Sequence, residues 1–311
     1  MFNIKIDATH NINNAGGIQE KFFYNNEYYK IDKAGAEGIA EELSSQVLIC
    51  SNLKPDEYVI YEYGTINSQK GCKSANFLTG KEKFINFNTL HNTFFDIRLD
   101  YYMRNFSMKE KINYTINFLK ETTNIDITDY LRKCITLDYI IKNTDRHFSN
   151  LGIIQCEDDS FRPAPIFDNG QSLMSNMSLI RIKTIEENLE ELKAKPFNDD
   201  INQMYEYFGP GFKVNFKHLK EILDSYNIKD GEYGYEQLVI LKHQANKFLN
   251  SELNFENGLE EKIEIFKDIS YKIENRKLIL NEAAQRECDA LIEKGVIANK
   301  NQYPAFKDTQ R

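Results

Sequence analysis

The sequence predicts an α+β protein of two lobes. A small β-rich N-lobe takes residues 1–78, and a larger, mostly helical C-lobe takes residues 79–311. Three observations predict it. Short aromatic and β-branched runs, separated by turn residues, dominate the first third of the chain. Amphipathic stretches with apolar residues three and four apart dominate the remainder. Between the two, residues 71–82 (GCKSANFLTGKE) are bounded by glycine and lose periodicity, which marks the connection between lobes.

Each element has its own signal. Residues 21–31 (KFFYNNEYYKI) hold two aromatic runs around Asn25-Asn26, a turn pair, and read as a β-hairpin. Residues 35–49 carry Ile39, Leu43, Val47 and Leu48 at helical spacing. Residues 57–66 (EYVIYEYGTI) are again β-rich. Beyond about residue 88 the pattern turns helical. Residues 107–123 are amphipathic, and residues 127–143 place Tyr130, Leu131, Cys134, Leu137, Ile140 and Ile141 on one wide face. The short run LGIIQC (151–156) and FRPAPIF (161–167) can form a second hairpin. Helical stretches follow at 184–194, 216–226, 236–250 and 258–295, and the last ten residues or so are polar.

Composition narrows the function. The net charge of −8 disfavours nucleic acid as the principal ligand, because phosphate backbones repel an acidic surface. No apolar run reaches the length of a membrane span, and the opening MFNIKIDATHN lacks a signal-peptide core, so a cytoplasmic protein is expected. Export as an effector stays open. Cys50, Cys72, Cys134, Cys156 and Cys288 are scattered, with neither CxxC nor metal-ligand spacing, and read as reduced thiols.

Chemistry concentrates in two polar turns. NTDRHFSN (143–150) follows the apolar helix directly, and PIFDNG (165–170) lies across the predicted hairpin. Asn150 follows Asp145 by five residues, and Asp168 follows it by 23. Such turns also serve merely to cap helices, and either one alone would be read that way. Together they match what phosphoryl transfer requires: an acceptor hydroxyl held in line and a divalent metal neutralising phosphate charge. Mg²⁺ takes hard oxygen ligands, one or two carboxylates with phosphates and water. Asp168 and the Asn150 side-chain oxygen suit as metal ligands, and Asp145 as the base that orients the attacking hydroxyl. The spacing matches the kinase pattern of a catalytic Asp, an Asn five residues on, and a later metal-binding Asp. Here the His follows the Asp, and Asn169 stands where that pattern has Phe.

NTDRHFSN and PIFDNG resemble the catalytic segment of HipA-like serine/threonine kinases, in the compact form typified by bacterial cell-translocating kinases. They also resemble, more distantly, the DRHxxN and DFG segments of phosphoinositide lipid kinases. The resemblance is specific over residues 135–172 and extends to YYKID, AEELSSQVL and GCKSANFL. It implies a two-lobed protein-kinase-like fold, ATP and Mg²⁺ as cofactors, and a protein substrate. By family analogy it adds an antitoxin-type partner. It makes His147 part of the catalytic motif, orienting Asp145, although a His packed in the loop reads equally well. Arg146 meets either phosphate or an acidic neighbour. Asp138, a carboxylate on an apolar helix face, must find donors and braces the loop.

A kinase also needs a strand lysine on the phosphates, held by a helix glutamate. Lys30 closes a β-run and is the first choice, with Lys33 as competitor; the resemblance pairs it with Glu41, and Glu37 is the reserve. Gly16 and Gly17, ahead of the first hairpin, would let backbone N–H groups approach phosphate, though two adjacent glycines often make only a turn. Backbone groups of the hinge would pair with the adenine edge. Ser172, Ser175 and Ser178 lie where an activation segment falls. Two alternatives to a protein kinase remain at this stage: a phosphoinositide or small-molecule kinase using the same residues, and a nucleotide-binding regulator that transfers nothing.

Overall fold

A computed structural model describes residues 1–12, 19–33 and 35–255, which belong to one compact unit. Gly16, Gly17, Cys288 and the helical stretch expected at 258–295 lie outside the described residues.

The β-rich portion is a five-stranded sheet. Strand β1 (Phe2–Ile4) is its edge; β2 (Lys21–Tyr24) and β3 (Glu27–Ile31) form the expected hairpin. Asn25 and Asn26 both adopt left-handed backbone, φ 51° and 60°, as a two-residue turn matching the strand twist requires. After helix α1 (Glu37–Ile49) come β4 (Tyr61–Ile66) and β5 (Gln69–Ala75), giving the order β1-β4-β5-β3-β2. Strand alternation then sorts β3. Tyr29 and Ile31 join Ile6, Phe22 and Ile66 in a core on one face, and Lys30 points to the other. On that second face, α1 comes close enough to β5 that a Cβ on Gly38 would lie 2.7 Å from the Gly71 carbonyl carbon. Glycine is required there by close approach.

Two sequence expectations need correction here. The inter-lobe connection does not start at residue 71, because 71–75 belong to β5, the central strand. Largely buried on both faces, those residues show no apolar–polar alternation, which gives their sequence the look of a loop. The irregular connection is 76–82. The strand expected from residue 57 begins at Tyr61; before it, Tyr58 forms a lone parallel bridge to Ile166, and the Val59 N–H donates to the Ile166 carbonyl.

The remainder is largely helical around a three-stranded sheet. Strand β6 (Lys83–Asn86) runs into α2 (Phe87–Phe95), followed by α3 (Leu99–Tyr102), α4 (Met108–Thr123) and α5 (Thr128–Ile141). Ser107 and Glu110 close a reciprocal capping box at the start of α4. Strands β7 (Gly152–Gln155) and β8 (Phe161–Pro163) form the second hairpin, with β6 on its other edge. Helices α6 (Ile185–Glu190), α7 (Ile201–Phe208), α8 (Phe216–Ser225) and α9 (Tyr235–Phe248) complete the described chain. Leu131, Leu137, Ile140 and Ile141 of α5 are fully buried at its centre. Among the described residues, no helix is long and apolar enough to cross a membrane.

Helix α5 ends on Lys142 in left-handed backbone (φ 53°), one residue before the first polar turn. Lys142 is 6% exposed, with its ammonium over the Tyr139 ring. Burial, and then the nearby Lys247 charge, push its pKa down to about 8. The unfolded chain keeps the usual lysine value of about 10.4, so it binds more protons wherever the pH lies between the two. The penalty for burying the charge is therefore complete below pH 8 and fades as pH rises toward 10.4. Lys142→Met is expected to stabilise the protein by about 1–3 kcal/mol at pH 7, net of the lost ring contact. The gain should shrink steadily toward pH 10 in urea unfolding measured across that range.

Candidate active site

The two polar turns are joined by one side chain. Arg146 is fully buried, at 0% exposure. Its Nε donates to Asp138 Oδ2 at 3.0 Å and its Nη2 to Asp138 Oδ1 at 2.8 Å. Nη1 donates to the Phe167 carbonyl and Nη2 also to Asn169 Oδ1, both at 2.5 Å. The guanidinium thus spans α5, the first turn and the second turn. It does not reach toward a phosphate, which decides the alternative that the sequence left open. Asp138 finds its donors as expected, with Asn143 Nδ2 adding another at 2.9 Å. Thr144 reinforces the seam by donating its N–H and hydroxyl to the Gln171 carbonyl, each at 3.0 Å.

On the sheet side, Lys30 and not Lys33 faces this seam. The Lys30 ammonium donates to Glu41 Oε1 at 3.0 Å and to Asp168 Oδ1 at 2.5 Å, and lies 5.0 Å from the centre of the Tyr61 ring. Lys33 is exposed. Glu37, the reserve, is buried and accepts from the Gly35 N–H. Glu41 Oε2 accepts the Asn169 N–H at 2.8 Å, so α1 grips the second turn directly. Burial alone would pull the Lys30 ammonium down, but Asp168 and Glu41 lift it well above the usual lysine value. Burial would raise Asp168, yet Lys30 and Lys21 hold it well below the ordinary carboxylate range. Glu41 goes the other way, raised by burial against the pull of Lys30.

Asp145 heads the first turn. Its backbone N–H donates to Asn143 Oδ1 at 3.0 Å, and its Oδ1 accepts from Lys195 Nζ at 2.7 Å. His147 makes no hydrogen bond to that carboxylate. Its Nε2 is 3.8 Å from Asp145 Oδ2, and its buried Nδ1 has no partner among the described residues. Asn150 is buried and donates its Nδ2 to the Asp145 carbonyl at 3.3 Å. That leaves its side-chain oxygen without a donor among the described residues.

A side-chain amide oxygen at Asn150 and a carboxylate held ionised at Asp168 are each hard donors of the type magnesium takes, and magnesium asks for few protein ligands when it arrives with phosphates. Among the described residues, no three His, Cys, Asp or Glu side chains cluster as a metal cage. The expected pair, Asp168 and Asn150, is not of that type. Of the serines, Ser172 shares a hydrogen bond with Ser44 (3.2 Å) and Ser175 donates to the Gly170 carbonyl (2.6 Å). Both are buried, and Ser178 alone of the three is exposed.

Sequence reading missed Lys195 and Tyr61. Tyr61 sits under Lys30, and its hydroxyl accepts the Asp168 N–H at 3.2 Å. Its position in the middle of the predicted β-run at 57–66 held a usable signal. Lys195 had none, since it reaches Asp145 from 50 residues downstream.

No family model matches the chain, and no curated protein matches it. Solved structures do. The proinflammatory kinase CtkA of Helicobacter pylori is 17% identical, with 79% of this chain and 94% of that chain aligned at a TM-score of 0.57. HipA of Shewanella oneidensis MR-1, from the toxin–antitoxin complex of HipA, HipB and operator DNA, is 12% identical. It aligns over 78% of this chain and 66% of that chain at a TM-score of 0.44, and at that score carries no argument. The likeness to CtkA is one of fold: α+β, kinase-like, with a sheet portion and a helical portion.

The Arg146 seam is testable. Burial raises the Asp138 carboxyl despite the guanidinium beside it, so the pair is costly to hold and costlier to break. Asp138→Ala, which strands a buried guanidinium, is expected to lose about 3–5 kcal/mol in urea unfolding. The double variant Asp138→Leu/Arg146→Met should lose far less than the single one, because no buried charge is left alone.

Proposed function

We propose that this protein is an ATP- and Mg²⁺-dependent kinase that transfers the γ-phosphoryl group to a serine or threonine hydroxyl of a protein. The observation that carries the reading is the buried Lys30 ammonium held between Glu41 and Asp168. A surface charge needs no such arrangement, whereas a lysine that must meet phosphate does. The fold shared with CtkA supports the same reading.

Each group then has a task. Val59, Tyr61 and Cys72, with Phe77 and Phe167 against them, form an apolar cluster beside Lys30 suited to a flat base. Lys30 meets the phosphate chain, kept in place by Glu41. Asp168 and Asn150 hold the magnesium ion, which when bound neutralises charge on the phosphate oxygens. Asp145 orients the acceptor hydroxyl and takes its proton as the oxygen attacks the γ-phosphorus. The bond to the bridging oxygen breaks, and ADP leaves with the electron pair. His147 lies 3.8 Å from Asp145 and becomes its hydrogen-bond partner only after a small shift. Gly16 and Gly17 are proposed to approach the phosphates through backbone N–H groups.

Incubation with γ-labelled ATP and Mg²⁺ is expected to label the protein itself or a generic protein acceptor. Asp145→Ala should cut labelling by about a hundredfold or more. Equal labelling by that variant would remove Asp145 from its role. Nucleotide binding by the wild type without any transfer would favour the regulator reading instead. Lys30→Met is expected to weaken labelling chiefly through poorer nucleotide binding.

A further inference from the structure

We infer that the groove beside Lys195 docks the acceptor, and that it selects a protein segment carrying acidic residues close to the phosphorylated hydroxyl. The inference rests on the kinase reading above and names the substrate class for that site.

The groove encloses about 430 Å³ between the first turn of α4 and the segment that follows α6. Met108, Lys111, Lys195, Pro196, Phe197 and Asp199 are among the residues that line it. Two contacts fix it to the catalytic turn. Lys195 Nζ donates to Asp145 Oδ1 at 2.7 Å. Phe197, 1% exposed, packs edge-on against Phe148 of the NTDRHFSN turn, ring centres 5.5 Å apart. One lining side chain of the groove therefore touches the carboxylate that would receive the hydroxyl proton.

Its charge is the informative property. The chain as a whole carries −8, whereas the charged side chains lining this groove are two lysines, Lys111 and Lys195, against one carboxylate, Asp199. Lys111 forms no ion pair among the described residues. Lys195 has a side chain 55% exposed and is ion-paired with Asp145 itself. Of the carboxylates nearby, Asp199 pairs with Lys193 at 3.5 Å, and Glu110, still charged, accepts from the Ser107 hydroxyl and N–H at 2.6 and 2.7 Å. Met108 and Lys111 also belong to the first turn of α4, whose dipole favours an anion. Apolar Met108 and Pro196 line it together with the two lysines, a mixed surface suited to an extended peptide. A membrane-bound headgroup would bring this acidic protein against an anionic bilayer, which its net charge opposes.

Lys195 is then a positioning residue with a gating effect. In the free protein it occupies one oxygen of Asp145. An acidic side chain of the acceptor competes for the ammonium and releases that oxygen for the hydroxyl. An acceptor without a negative group leaves Asp145 paired.

The test compares serine peptides flanked by Asp and Glu, by Lys and Arg, or by neutral residues, alongside phosphoinositide vesicles. Phosphotransfer and direct binding by fluorescence anisotropy are both read. The acidic peptide is expected to be preferred in kcat/KM by about fivefold or more, chiefly through KM, and less so at high salt. Lys111→Glu should abolish or invert the preference, an outcome that misfolding cannot produce. Lys195→Ala should reduce the discrimination between acidic and neutral peptides. Transfer with no charge preference, a preference for basic peptides, or transfer to phosphoinositide alone would overturn the inference and leave the kinase reading standing. If nothing is phosphorylated, the kinase reading falls, and peptide binding decides the groove by itself. Tighter binding of the acidic peptide, lost in Lys111→Glu, supports it, and equal binding of the three peptides refutes it.

Discussion

The buried Arg146–Asp138 pair is the constraint on which the rest of the site depends. An ion pair at zero exposure is an expensive way to hold two loops together, since both charges lose their water. Apolar packing would be cheaper but would not fix direction. The guanidinium presents its donors in one rigid plane, and here that plane meets a carboxylate on α5, a carbonyl at Phe167 and the amide oxygen of Asn169. Those acceptors sit on either side of Asp168. The angle at which the second turn leaves the sheet is therefore set by hydrogen-bond geometry and not by how tightly side chains happen to fill space.

A second charge cluster is built on that frame. Lys30 is shared by two carboxylates, and a buried site with two negative groups and one positive group is short of positive charge. The cluster settles the imbalance unevenly. Asp168 stays ionised beside Lys30 and Lys21, and Glu41 is pushed toward its neutral form by burial and by Asp168. The Asn169 N–H, supplied by the turn that Arg146 fixes, relieves part of the cost at Glu41. The asparagine in place of the usual aromatic residue thus has a physical role at both ends. Its amide oxygen receives Arg146 and its backbone N–H serves Glu41.

What the sequence made legible follows from the range of each interaction. The Asn25-Asn26 hairpin, the amphipathic helices and the two polar turns are local patterns, and they stand where reading placed them. Helix α7 went unread because its eight residues offer barely two turns of periodicity. Residues 71–75 of β5 look like part of the connection because burial on both faces erases alternation. The partners of Arg146 were undecidable, since phosphate and Asp138 are chemically equivalent demands on a guanidinium. The Lys195 contact had no trace at all. Ion pairs across 50 residues leave no mark on either local sequence.

The Lys30–Glu41 pair does not depend on the sheet alone. Glu41 is useful only if α1 is held at the right rotation, and much of what holds it comes from the far end of the described chain. The Tyr226 hydroxyl donates to Glu42 Oε1 at 2.7 Å, and the Tyr233 hydroxyl donates to Asp32, in the turn that leads into α1. Tyr233 also stacks on Tyr63 of β4, ring centres 5.2 Å apart. Burial pushes Asp32 up to about 6 against that hydrogen bond, so its charge and the turn it anchors respond to mild acid. Residues 226–233 thus act on Lys30 at one remove, through the pose of a helix they touch on its outer side. A β-rich portion isolated from them would keep its hairpin and its core, but it would lose the contacts that aim Glu41 at Lys30.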